Sequence, residues 1–109
     1  MSNLLNIFIG FDQKEAIAYH TFVQSLIENS TIPLSITPLA ENNLDHYTEK
    51  HTDGTNRFTY SRFLVPYLMN FKGWAIFADG DMVCLSDIKI LKSYFDPDKA
   101  VTVVKHDYK

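Results

Sequence analysis

Cysteine is almost missing from this chain of 109 residues. Cys84 is the single one, so no internal disulfide can form and a cysteine-based zinc site is excluded. Long apolar runs are missing too. The longest, Ile7 to Phe11 and Trp74 to Ala78, fall far short of the roughly 20 residues that a membrane-spanning helix needs. Met1 to Asn6 carries no cationic head of a secretory signal, which predicts a cytoplasmic protein. No run of lysine and arginine suits a nucleic-acid backbone, and there is neither a repeat nor a low-complexity tract. What is present is an ordinary globular mixture. Hydrophobic residues make up 46% and charged residues 21%, against about 45–50% and 25% in typical domains. Disorder, collagen and coiled coil are thereby excluded. The length predicts one domain, residues 1–109, with one core held by packing alone.

The net charge of −3 is unevenly distributed. Residues 1–56 hold seven acids and two bases, and residues 57–109 hold six acids and eight bases, which leaves room for an anionic ligand near the second half. Leu4 to Gly10 is short, apolar and partly β-branched, and it ends at a glycine, so it predicts a buried strand. Asp12, with Glu15 three residues on, has the pattern of a capping box. In the helix that follows, Tyr19, Phe22, Val23, Leu26 and Ile27 form one apolar stripe that leaves out His20. Leu34 to Leu39 predicts a second strand, with Pro38 placing it at a sheet edge. Strand, helix and strand in this order open an α/β domain.

Residues 41–56 are polar and predict a long loop; its His46 and His51 are assigned no metal. The spacing of Tyr60, Phe63, Leu64, Tyr67, Leu68 and Phe71 predicts a second helix from Phe58 to Phe71, kinked at Pro66. Trp74 to Ala78 predicts a strand covered on both faces. Further expectations are a short extension from Met82 to Leu85, a brief helix capped at Ser86 and Asp87 and running to Phe95, and a last strand from Ala100 to Val104.

The residues with the clearest chemistry are Asp79, Gly80 and Asp81. Two carboxylates flanking a glycine, at the carboxyl end of an apolar strand, stand where open α/β sheets bind ligands. Oxygen donors of this kind suit Mg²⁺ or Mn²⁺ completed by substrate phosphates. The same tripeptide also fits a plain Asp-Gly turn. A calcium loop of the EF-hand type is rejected, because Val83, Cys84 and Ile90 occupy positions that would need oxygen ligands or glycine. A phosphotransferase reading remains open. There, Asp79 would accept a phosphoryl group and Asp81 would act as general acid, although that strand usually opens its domain.

Taken in order, several segments resemble a known family. They are Ile7 to Asp12 with Ala16 to His20, Phe58 to Leu68, Trp74 to Val83, and Val103 to Tyr108. Together they resemble glycosyltransferases of the GT-A fold that carry an Asp-x-Asp motif, family 8 and related bacterial enzymes. The resemblance implies a Rossmann-like, three-layer α/β domain that binds a nucleotide sugar, in first place a UDP-sugar, and transfers its glycosyl group with Mn²⁺ or Mg²⁺. Asp81 would ligate the metal, and Asp79 would ligate it or hold the ribose. Arg62 would reach the diphosphate or the donor sugar, and Phe11 and Asp12 would contact base and ribose. For Asp12 a plain helix cap is the alternative, for Arg62 a surface ion pair. His106 and Asp107 follow the last predicted strand and either line the sugar pocket or form a surface turn.

Members of that family are more than twice as long. The resemblance is therefore to a donor-binding, amino-terminal half, as in a truncated piece, a short natural paralogue or one part of an assembly. A sheet edge left bare by the missing half would invite self-association. The rival readings are a module that binds nucleotide and metal without turnover, and the phosphotransferase above.

Overall fold

A computed structural model describes residues 4–40 and 64–103. The polar segment 41–56, Tyr60, Arg62, Phe63, Val104, His106 and Asp107 lie outside the described residues.

Strand β1, Leu5–Gly10, is the centre of the molecule. Its alternation divides the core in two. Leu5, Ile7 and Ile9 face α1, Ala16–Asn29, and join Tyr19, Phe22 and Leu26 of that helix in one buried cluster. Phe8 points to the opposite face and is also buried, so β1 is covered on both sides. Asp12 begins the helical segment as expected. Its Oδ1 accepts a hydrogen bond from the Lys14 N–H (3.0 Å), which caps a single 3₁₀ turn, Gln13–Glu15, leading into α1. The predicted stripe holds for Tyr19, Phe22 and Leu26, whereas Ile27 is 57% exposed and does not belong to it.

After α1 the chain enters β2, Leu34–Leu39, which pairs parallel to β1 with Ile9 opposite Pro38. Strand β3, Ala75–Ala78, pairs parallel to the other side of β1, with Phe8 opposite Phe77, so the order is β2-β1-β3. Among the described residues β2 lies at an edge, where the missing N–H of Pro38 breaks no ladder. This is an α/β fold around a parallel sheet.

Four expectations need correction. Among the described residues, the predicted second helix is confined to α2, Val65–Leu68, with Pro66 in its first turn, where the absent N–H has no helical partner to lose. It stops because Asn70 adopts a left-handed φ of 54°. The Asn70 N–H then bonds the Tyr67 carbonyl (2.9 Å) and the Phe71 N–H the Pro66 carbonyl (2.8 Å), a Schellman-type ending. Tyr67, Leu68 and Phe71 are exposed, so they are not a core stripe. Met82 to Leu85 and Ala100 to Val103 form no strand. Val83, Leu85, Val101 and Val103 are exposed, and β-branched side chains alone do not make a strand without a partner to pair with. Strand β3 is half-buried along its length rather than covered on both faces. The segment capped by Asp87 does run to Tyr94, as a 3₁₀ helix, Ile88–Tyr94. No helix among the described residues is long and apolar enough to cross a membrane.

Candidate functional site

All strands among the described residues run parallel, so their carboxyl ends share one edge of the sheet. The chain leaves β1 toward β2 on one side and later returns to β3 on the other. The crevice between the ends of β1 and β3 is therefore the topological switch point, the place where open α/β sheets take their ligands. Two predicted groups meet there. Phe11 and Asp12 leave the end of β1, and Asp79, Gly80 and Asp81 leave the end of β3.

Backbone contact brings the two groups together. A Cβ placed on Gly80 would lie 2.5 Å from the Gly10 carbonyl oxygen, closer than real side chains come, so the Asp79–Asp81 turn rests directly on the end of β1. Both carboxylate side chains are exposed. Phe11 is half-buried. Its N–H continues the ladder to the Leu39 carbonyl (3.1 Å), and its ring meets Tyr19 edge-on at 5.1 Å. Burial raises the pKa of the Tyr19 hydroxyl above its ordinary value. Asp12 spends one carboxylate oxygen on its cap, so its role as a helix cap is observed.

Asp79 and Asp81 supply hard oxygen donors. Among the described residues no group of three or more histidine, cysteine, aspartate or glutamate side chains comes together. Such a pair suits a cation whose remaining ligands are water and substrate phosphates rather than a closed protein cage.

Beyond Asp81 the chain turns back along α1. The Cys84 N–H donates to Ser25 Oγ (2.8 Å), and the Cys84 carbonyl accepts from Asn29 Nδ2 (3.0 Å). Two residues of helix α1 thus hold both backbone groups of one residue, as a neighbouring strand would. Further on, Asp87 Oδ2 accepts from the Thr31 N–H (3.0 Å) and the Thr31 hydroxyl (2.5 Å), and its Oδ1 accepts from the Lys89 N–H (3.0 Å). The Thr31 hydroxyl foremost, then the Lys89 N–H, hold the Asp87 carboxyl below its ordinary pKa. Trp74, at the start of β3, stacks on Phe95 with ring centroids 4.8 Å apart. Residues 81–87 therefore form a strap from the carboxyl edge of the sheet to its amino edge, where Thr31 and the Leu5–Pro33 hydrogen bond also lie.

Apart from the Asp87 cap, the sequence predicts none of these anchors. Asp-Gly-Asp signals a turn but not that Gly10 lies beneath it. The one usable signal was Ser25 and Asn29, two small polar residues four apart on one helix face, beside the apolar stripe.

No protein-family model matches the chain, and no solved structure matches it. It is 38% identical over 106 residues to Protein CDI of Arabidopsis thaliana, an alignment that covers 94% of this chain and 41% of that protein. The chain thus spans less than half the length of this curated relative.

Proposed function

We propose that this chain is the donor-binding half of a metal-dependent glycosyltransferase of GT-A type, acting on a nucleotide sugar, with a UDP-sugar first among the candidates. The observation that carries this reading is the Asp79-Gly80-Asp81 turn at the β1/β3 switch point, seated on Gly10 beside Phe11 and Asp12. In this reading the Phe11 ring, braced by Tyr19, offers a face to the base. The carboxylate oxygen of Asp12 not used for capping accepts from the ribose hydroxyls. Asp79 and Asp81 hold Mn²⁺ or Mg²⁺, which when bound offsets the charge on the leaving diphosphate. Arg62 binds the diphosphate or the donor sugar through its planar fork of donors, and His106 and Asp107 line the sugar pocket. Acceptor recognition and turnover belong to the whole enzyme. The single cysteine suits a cytoplasmic location, and the position of β2 at a sheet edge among the described residues suits self-association.

Dependence on a cation separates this reading from its rivals. Two carboxylates facing a diphosphate repel it unless a cation lies between them. UDP should therefore raise the unfolding free energy only with Mn²⁺ or Mg²⁺ present, by about 2.7 kcal/mol at a hundred times its dissociation constant. An equal shift in the presence of chelator would remove the metal-bridged site. A beryllofluoride adduct on Asp79 would favour phosphoryl transfer instead.

A further inference from the structure

We propose that Ser25 and Asn29 are positioning residues for Asp81, forming a clamp on α1 that presets the carboxylate pair before any cation arrives. The inference rests on the donor-site reading and adds a second layer to it. The turn carries Asp79 and Asp81 two residues apart, both exposed, and a cation site needs their carboxylates held toward one point. One side of the turn is bounded by β1, because Gly80 lies against the Gly10 carbonyl. The other side leads through Met82 and Val83 to Cys84. Neither Met82 nor Val83 is buried, so packing holds this stretch weakly.

The first fixed point after Asp81 is the Cys84 backbone. Ser25 Oγ both donates and accepts there, donating to the Phe22 carbonyl (2.7 Å) and accepting from the Cys84 N–H (2.8 Å). Asn29 Nδ2 bridges the Ser25 carbonyl (2.8 Å) and the Cys84 carbonyl (3.0 Å). The clamp stands on a helix whose Phe22 and Leu26 are in the buried core, so its base is packed where Met82 and Val83 are exposed. Asp81 is thus held between two anchors, Gly80 on β1 and Cys84 on α1. Removing one anchor frees the carboxylate to swing away from Asp79.

The test uses the ligand-free chain and then the same chain with Mn²⁺ and UDP. Ser25→Ala should fold, since alanine suits a helix interior better than serine. Amide exchange over residues 81–84 should then accelerate while β1 stays protected. Mn²⁺ affinity in the presence of UDP, read by the electron paramagnetic resonance of the free ion, should fall about tenfold, the scale seen when groups that orient metal ligands are lost. Asn29→Ala should act in the same direction, and Ser25→Thr, which keeps a hydroxyl, should restore affinity. In an Asp81→Asn background Ser25→Ala should cause no further loss, because the residue it positions is already gone. Unchanged exchange in both alanine variants would overturn the inference. Faster exchange at unchanged Mn²⁺ affinity, or an undiminished loss in the Asp81→Asn background, would overturn it too while leaving the donor site standing. Failure of the wild-type chain to take up Mn²⁺ with UDP would overturn the donor-site reading, and the inference with it.

Discussion

Residues 4–40 and residues 64–103 are built differently. Among the described residues every buried side chain belongs to the first region, including Ile7, Ile9, Leu26 and Leu39 at 2% exposure or less. The second region has none. It is attached through a few discrete contacts: the pairing of β3 with β1, Gly80 on Gly10, Cys84 on Ser25 and Asn29, and Asp87 on Thr31. The first region is therefore the scaffold, and the second carries the candidate chemistry on a less buried support. Regions with few buried apolar contacts open at lower free energy, and binding loops are commonly drawn from them.

The largest test of this contrast compares Ile9→Ala with Ile90→Ala. Ile9 is wholly buried between α1 and the sheet, so its truncation should cost about 2–5 kcal/mol. Ile90 is 55% exposed and its truncation should change stability by less than about 0.5 kcal/mol. Urea denaturation measures both, and equal losses would erase the distinction between scaffold and attachment. Gly80→Ala should come next. The added methyl meets a backbone carbonyl that cannot step aside, which should cost about 1–3 kcal/mol, with stronger loss of cation binding than of secondary structure by circular dichroism. A variant as stable as the wild type and binding as well would mean that the turn does not rest on β1.

The smallest effect is a slope in acid. Asp87 has its pKa lowered from the ordinary 3.8, chiefly by the Thr31 hydroxyl. A carboxyl whose folded pKa is depressed stabilises the fold fully above its unfolded value, and that contribution is lost as the pH falls below 3.8 toward the folded value. Thr31→Val should flatten this part of the stability profile between neutral and acid pH. An unchanged slope would release the strap from Thr31.

The same contrast explains what could be read from the sequence. The β1–α1–β2 unit was legible because the short apolar run Leu4 to Gly10, helical spacing from Tyr19 to Leu26 and Pro38 at an edge all express burial, which the sequence pattern records directly. Ile27 departed from the pattern because the stripe of α1 is narrower than five residues imply. In the second region periodicity misled. Tyr67, Leu68 and Phe71 kept helical spacing, but Asn70 turned the chain into the left-handed region and ended the helix. Val101 and Val103 offered strand propensity but pair with no strand among the described residues. Of the candidate site, Asp79, Gly80 and Asp81 were readable as a motif. Their seat on Gly10 and the clamp at Cys84 were not, because both join residues more than fifty apart and involve backbone groups that leave no composition signal.

The central claim is that Asp79 and Asp81 form a cation site for a nucleoside diphosphate rather than a bare turn. Calorimetric titration of the wild type and Asp81→Asn with UDP in the presence of Mn²⁺, beside a melting curve for each, tests it most directly. Asparagine keeps the shape and removes the charge, so both proteins should melt alike. The wild type should bind, and the variant should lose at least tenfold in affinity, a difference of about 1.4 kcal/mol or more, because a neutral amide is a poor ligand for a hard cation. Equal affinity in the two proteins would contradict the account and leave Asp79-Gly80-Asp81 as a turn.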